Sequence, residues 1–233
     1  MQASKDRRIL SYKEILIVLS KYGFPVARGD IASSIRGAIE IADRICYPIV
    51  LKVMSPHIVH KTDADVLRVN VKSESELVEG YKGIMENAKN YNQEAHIDGV
   101  LVQEMLPNDV EVIIGLSRDP QFGPVVLFGL GGIFAEVLKD VSLRVPPLTR
   151  FDAEEMIKEI RGHKILEGFR GKPKRDSEAI IDVLLRVSKM AVDLKNSILE
   201  MDLNPVVVQP EGKGAKIVDA RFVVSNLSEH FKR

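Results

Sequence analysis

The sequence lacks several features that would place a protein in a class at once. It has one cysteine, Cys46, among 233 residues, which excludes a disulfide framework within the chain. Lys plus Arg equals Asp plus Glu at 33 each, so no overall charge favours nucleic acid or a membrane surface. No apolar run approaches the length of a membrane span, and the N-terminus lacks the apolar stretch of a signal peptide. We therefore expect a cytosolic protein, with Cys46 as a small buried side chain.

Helical and strand patterns are both present, in irregular order. Capping boxes at Ser11-x-x-Glu14, Ser73-x-x-Glu76 and Asp152-x-x-Glu155 predict three helix starts. Apolar spacing predicts further helices near 34–45 and 176–196. Runs of branched residues bounded by Gly, Pro or Asp predict the strands Ile49–Val53, Gly99–Met105, Val110–Leu116, Pro124–Gly129, Asn204–Gln209 and Lys216–Val224. This mixed order favours an α+β fold over a doubly wound sheet.

The chain is long enough for one generous core or two modest ones. The break at Leu106-Pro107-Asn108 predicts two lobes, 1–106 and 107–233.

Three short stretches have the composition of a nucleotide site. Lys52 interrupts the apolar run PIVLKV, either as an edge-strand lysine reaching solvent or as a contact for an anion. Glu104 lies at the end of one predicted strand and Glu111 opens the next, as beside an adenine-binding hinge, although an ordinary exposed acidic pair is the first interpretation without further context. Gly131 and Gly132 in FGLGGIFAE would let backbone N–H groups approach a ligand, but their spacing matches neither a P-loop nor a dinucleotide fingerprint.

An oxygen-rich group near the C-terminus predicts a metal site. Asp202 and Asn204 are two residues apart and so face the same way on a strand, and Asp219 lies on the predicted hairpin partner. Such oxygen donors suit Mg²⁺. The alternative is that these residues serve only as turn and strand positions.

In order along the chain, these motifs resemble a known family. YPIVLKV, SPHIVHKTD, VLVQEM, the block EVIIGLSRDPQFGPVVLFGLGGIFAEVLKDVSLRVPPL, GFRGKP and EMDLNPVVV…VDARFVV are similar to the β subunit of ADP-forming acetyl-CoA synthetase. That protein is an ATP-grasp member of the acyl-CoA synthetase superfamily. The resemblance runs from about Leu10 to Val224 and implies an ATP-grasp fold, with nucleotide bound between two α/β lobes.

The resemblance also implies roles for particular residues. Its nucleotide-binding positions match Lys52, Val102, Glu104, Met105, Glu111, Gly131 and Gly132, with Val102 and Met105 contributing backbone groups. Its Mg²⁺ ligands match Asn204 and Asp219, and Asp202 lies where the family has an acidic residue. Glu136 matches the glutamate after the glycine turn, and Arg170 in GFRGKP could reach phosphate, a partner subunit or only a surface carboxylate.

His60 is the predicted catalytic residue. In His60-Lys61-Thr62-Asp63 it aligns with the family's HK[ST]D histidine, which is proposed to carry phosphate. A neutral imidazole can attack a phosphoryl group through one nitrogen while the other is held by a hydrogen bond. His57, nearby, is expected to be a turn residue. The family usually continues with small or glycine residues, as in VGGV, where this chain reads Ala64-Asp65-Val66-Leu67-Arg68, which puts the motion of the loop in question.

The resemblance implies a separate α subunit carrying the CoA and acyl sites, in an α₂β₂ assembly that binds Mg²⁺ and ADP or ATP. Two alternatives stay open at this point. One is a stand-alone ATP-grasp ligase that uses an acyl-phosphate, and the other is a catalytically inactive, nucleotide-binding regulatory subunit.

Overall fold

A computed structural model describes residues 7–58, 64–107, 110–132, 139–169 and 171–225. Its strands are β1 (Arg7–Ile9), β2 (Gly29–Ala32), β3 (Ile49–Met54), β4 (Leu67–Val71), β5 (Gly99–Glu104), β6 (Val110–Asp119), β7 (Gly123–Leu130), β8 (Val141–Arg144), β9 (Ile198–Val208), β10 (Ala215–Ile217) and β11 (Ala220–Ser225). Its helices are α1 (Tyr12–Lys21), α2 (Ile35–Ile45), α3 (Glu74–Tyr91), α4 (Arg150–Glu159) and α5 (Ser177–Asp193), with a 3-10 turn at Arg161–Ile165.

The chain forms two compact units. The small unit is Ala27–Pro107, and the large unit combines Met1–Val26 with Asn108–Arg233. The predicted lobes are 1–106 and 107–233, so the later boundary differs by one residue and the first 26 residues group differently. The reason is strand pairing: β1 joins the large sheet antiparallel to β11, with Ile9 opposite Val223.

The small unit is a four-stranded sheet covered on one face by two helices. Its strand order is β2-β5-β3-β4, with neighbouring strands antiparallel. Both helices begin at serine caps, Ser34 for α2 and Ser73 for α3, because each hydroxyl accepts a backbone N–H that the first turn leaves unpaired. Their apolar faces bury Ile41 and Ile84 against strand residues such as Leu51.

The large unit is built on a seven-stranded sheet. Its order is β1-β11-β9-β6-β7-β8, and β10 pairs with β9 beside that path. Helices α4 and α5 supply apolar residues, among them Met156 and Leu184, to the core that contains Ile114 and Phe128. Alternation along β6 and β9 therefore leaves one face of the sheet to the core and turns polar residues to the other.

Among the predicted boundaries that differ from the structure, one concerns a helix start and one a strand that is divided in two. Helix α4 is capped by Thr149, whose side chain accepts from the N–H of Asp152 while Asp152 bonds back to the cap, so the box is Thr149-x-x-Asp152 and starts earlier than predicted. The predicted strand at 216–224 is two strands, because the Asp219 carboxylate accepts the N–H of Ala220 at 2.9 Å and interrupts the extended run.

Cys46 is exposed, contrary to the expectation of burial. Helix α2 ends at Ile45, and Cys46 follows with a φ of 70° that turns it away from the apolar face of the helix. Among the described residues, no helix is both long and apolar enough to cross a membrane.

Candidate functional site

Lys52 lies in the interior of the small sheet. It is 7% exposed on β3, opposite Leu101 of β5 and Leu67 of β4. Because β3 lies between two strands, the interpretation of Lys52 as an edge-strand lysine is wrong. Its neighbours Leu51 and Val53 face the helix-packed core, so alternation directs Lys52 to the other face. A buried ammonium in that position is costly unless it meets an anion or hydrogen-bond acceptors.

Glu104 has the opposite orientation. It lies across from Ile49, on the helix-packed face, and its side chain is 10% exposed. Its carboxylate accepts from the backbone N–H of Arg28 at 2.7 Å and from Arg28 Nε at 3.0 Å. An ionised carboxylate can accept further hydrogen bonds, so the contacts with Arg28 and the predicted contact with nucleotide are compatible. Gln103, beside it, is 1% exposed and shares the face of Lys52.

The backbone at the two predicted adenine contacts takes part in the sheet. Val102 is fully buried and is paired with Asp30 on one side and Leu51 on the other. The N–H of Met105, just past the end of β5, donates to the carbonyl of Pro48 at 3.1 Å. These pairings fix the path of the strand immediately before the end of the small unit.

Glu111 and the glycine pair lie together in the large unit. Glu111 is exposed near the start of β6, and its carbonyl accepts the N–H of Gly131 at 2.8 Å. A Cβ on Gly131 would lie 3.0 Å from Glu111 Cβ, so a side chain there would push the two strand ends apart. Gly132 has a φ of 63° with open space around it, a conformation that favours glycine. The structure thus brings three of the predicted nucleotide-binding residues into one corner.

The predicted metal ligands lie close together in the large sheet. Asp202 and Asn204 are on β9, beside the turn between β10 and β11 that contains Asp219. The N–H of Asn204 donates to the carbonyl of Asp219 at 3.1 Å, which fixes the two segments side by side. Asp202 is two residues before Asn204, between the core residues Met201 and Leu203, and so points away from the core. It lies across from Gly115 of β6, which carries no side chain.

The electrostatics of this cluster suit a cation. Burial raises the pKa of Asp202, and the charges of Asp219 and Glu200 raise it further, against the lowering effects of Arg221 and of a hydrogen bond from Asn204. A carboxylate that is destabilised by burial and by neighbouring carboxylates is stabilised when a cation binds.

The residues present therefore fit Mg²⁺. Two carboxylates and an amide oxygen are the hard oxygen donors that this ion prefers, with phosphate oxygens and water to complete the octahedron. Across the residues that the structure describes, no group of three or more His, Cys, Asp and Glu side chains could hold a metal by itself. A site here would depend on the Asn204 amide and on ligands from a bound nucleotide.

His60 lies in 59–63, outside the described residues, as do Glu136 and Arg170. His57 is in an exposed turn, as expected, and its Nδ1 accepts the backbone N–H of His96 at 2.9 Å.

The residues that follow 59–63 make a local charge pair. Asp65 and Arg68, which depart from the family pattern, form an ion pair with a shortest distance of 2.6 Å. Sequence reasoning missed two partners: Arg28, which holds Glu104, and Asn87, which holds Asp65.

Comparison with known proteins identifies the family. A model described as an ATP-grasp domain matches residues 2–224. The chain is 50% identical over 207 residues to the β subunit of ADP-forming acetate–CoA ligase II from Pyrococcus furiosus, covering 89% of this chain and 88% of that protein. The chain belongs to the ATP-grasp β subunits of ADP-forming acetate–CoA ligases. Both the family resemblance and the ATP-grasp fold class are thereby confirmed.

Solved structures of a second relative are similar to this chain in fold and sequence. One is the acetyl-coenzyme A synthetase 1 of Ca. Korarchaeum cryptofilum with coenzyme A, acetyl-coenzyme A and a phosphorylated phosphohistidine segment in its site I orientation (TM-score 0.83, 45% identity, 94% of each chain). Another holds coenzyme A and Mg-AMPPCP, with the phosphohistidine segment pointing towards the nucleotide-binding site (TM-score 0.78, 45% identity, 92% of each chain).

Proposed function

We propose that this ATP-grasp β subunit is the nucleotide-binding subunit of an ADP-forming acyl-CoA synthetase, an acid–thiol ligase. The overall reaction converts acyl-CoA, ADP and phosphate into free acid, CoA and ATP, reversibly. The observation that carries the proposal is the 50% identity, over 89% of this chain, to a β subunit named for that activity. The oxygen cluster at Asp202, Asn204 and Asp219 supports it, because phosphoryl transfer needs the charge of the nucleotide to be neutralised.

The chemical step is assigned to His60. One of its imidazole nitrogens attacks the phosphorus of a phosphohistidine on the α subunit, so that one N–P bond forms as the other breaks. A β-phosphate oxygen of ADP then attacks the same phosphorus, and the His60 nitrogen leaves with the electron pair, which yields ATP. Positioning and charge neutralisation supply most of the catalysis in such transfers.

The other residues hold the nucleotide. Lys52 is buried on the face of the small sheet that α2 and α3 do not cover. Its ammonium group is the cation that we assign to the phosphate oxygens. Gly131 and Gly132, with Glu111 beside them, leave backbone close to a ligand. Asp202, Asn204 and Asp219 would hold Mg²⁺, which when bound neutralises phosphate charge. Val102 and Met105 define the strand end for adenine, and Glu104 supports that end through Arg28.

A partner is part of the proposal. The relative's name as a β subunit supports an α subunit that carries the CoA and acyl sites, and an α₂β₂ assembly in the cytoplasm is the arrangement we propose.

One labelling experiment tests the function. The pure chain is incubated with ATP labelled in the γ-phosphate and with Mg²⁺, with and without an α subunit. We expect acid-labile, base-stable label on the chain, retained in His57→Asn and lost in His60→Asn. Label in neither wild type nor His57→Asn, although nucleotide binds, would instead favour the inactive regulatory subunit. Acyl-phosphate-dependent activity without an α subunit would favour the stand-alone ligase.

A further inference from the structure

The side chain of Arg68 lies along helix α3 in the small unit. A Cβ on Gly80 would lie 3.6 Å from Arg68 Cγ, and a Cβ on Gly83 would lie 3.9 Å from Arg68 Nη2. Glycine is unfavourable inside a helix, yet α3 contains Gly80 and Gly83, three residues apart. Asn87 comes four residues after Gly83. All three therefore lie on one face of α3, under the arginine.

Arg68 and Asn87 both bind Asp65. Arg68 Nη1 and Nη2 donate to the two carboxylate oxygens of Asp65 at 2.6 and 3.0 Å, in the forked geometry that is strongest for this pair. Asn87 Nδ2 donates to the Asp65 carbonyl at 2.9 Å and to its carboxylate at 3.0 Å. The hydrogen bond from Arg68, more than any other influence, lowers the pKa of Asp65.

These contacts fix a backbone conformation that needs support. Asp65 has a φ of 47°, in the left-handed region, where Asp is tolerated but most side chains are not. On either side of it the chain is buried: Ala64 is 6% exposed and Val66 is 0% exposed, and the Val66 carbonyl accepts the N–H of Val53 at 3.1 Å. Asp65 is thus an exposed residue between two core residues, two positions before strand β4 begins.

We propose that Asp65, Arg68 and Asn87 form an anchor that sets the backbone after the histidine segment, so that Asp65 is a positioning residue for His60. The inference rests on the function proposed for His60, which precedes Asp65 by five residues in the sequence. In-line phosphoryl transfer requires the attacking His60 nitrogen to be aligned with the phosphorus. Fixing the backbone at Asp65 reduces the number of conformations open to the chain that carries His60. The carboxylate that stands in place of a glycine is thereby turned towards α3.

The test compares anchor variants with a matched control. Asp65→Asn removes the charge but keeps a residue that tolerates positive φ, and Arg68→Met removes the fork but keeps the apolar stem. Arg36→Met breaks another arginine–carboxylate pair of the same unit, with Glu40 at 3.1 Å on exposed α2. For each variant, three quantities are measured: the single-turnover rate of phosphohistidine formation from ATP and Mg²⁺, the Kd for ADP, and hydrogen exchange over 64–71.

We expect both anchor variants to form phosphohistidine at least five-fold more slowly and to exchange faster over 64–71. Their Kd for ADP should stay within two-fold of wild type, and Arg36→Met should match wild type throughout.

If the wild type takes the label and the anchor variants form phosphohistidine at the same rate, the anchor is overturned. Faster hydrogen exchange in the variants would not rescue it, because the contacts would then only stabilise the fold. A wild type without label would overturn the function proposed for His60, and the anchor with it. The two failures are therefore distinguishable by the wild type alone.

Discussion

Replacing Glu104 separates support of the strand end from direct contact with nucleotide. Its carboxylate is 10% exposed and accepts two hydrogen bonds from Arg28, at 2.7 and 3.0 Å. A hydrogen bond to a charged group contributes about 1.5–3 kcal/mol when it is shielded from water. The Arg28 side chain is 60% exposed, so the ion pair itself adds only about 0.2–1 kcal/mol.

Glu104→Ala should therefore lower the free energy of unfolding by about 2–3 kcal/mol, because it leaves the Arg28 N–H without this acceptor. For a chain of this length that corresponds to a fall in Tm of roughly 4–12 °C. Glu104→Gln keeps an acceptor oxygen and should cost about 1 kcal/mol. Thermal unfolding followed by circular dichroism measures the stability, and calorimetric titration with ADP and Mg²⁺ measures the affinity.

The affinity decides between the two roles. If Glu104 acts through Arg28, the Kd for ADP in Glu104→Gln should stay within about two-fold of wild type, since 1.4 kcal/mol is needed for a ten-fold change. Glu40→Ala, which breaks an exposed pair with Arg36, is the control and should shift Tm very little. A ten-fold loss of affinity in Glu104→Gln with an unchanged Tm would refute this reasoning and favour direct contact with nucleotide.

Three further predictions concern the large unit. Burial, with Asp219 and Glu200 nearby, raises the pKa of Asp202 above its ordinary 3.8, so its contribution to stability is present below that pH and is lost as pH rises through the raised pKa. Asp202→Asn should therefore raise Tm at pH 8 without Mg²⁺, have less effect near pH 4, and abolish stabilisation by Mg²⁺ with ADP; an equal effect at both pH values would contradict this. Phe128→Ala, at a fully buried position, should cost about 3–5 kcal/mol in urea unfolding, and a cost below about 1 kcal/mol would contradict the packing described. Thr149→Ala should lower the free energy of unfolding by about 1 kcal/mol, because it removes a helix cap. Thr149→Ser keeps the capping hydroxyl and should lose much less.

Local patterns predicted most of the secondary structure. Apolar spacing placed helix α2 near 34–45, and the structure has it at Ile35–Ile45 after the cap Ser34. The branched run Ile49–Val53 is β3, extended by one residue. Such predictions succeed because side chains only a few residues apart decide a cap or an apolar face. The Thr149 cap was missed because Asp152, its partner in the box, was itself taken for a cap.

The candidate site was predicted by residue type and family resemblance, but its geometry was not. Nothing local to Glu104 indicates that its carboxylate is held by Arg28, which is 76 residues away. The pairing of Asp65 with Asn87 across 22 residues is equally hidden. Such contacts depend on how strands and helices are brought together.

By itself, the sequence determined the kinds of elements and the family to which the chain belongs, and it predicted a set of phosphate-handling residues. Only the tertiary structure decided that the first strand, Arg7–Ile9, completes the sheet of the large unit, and that Lys52 and Glu104 face opposite ways. Secondary structure follows from neighbours along the chain, whereas sheet order and register follow from burying distant apolar faces together.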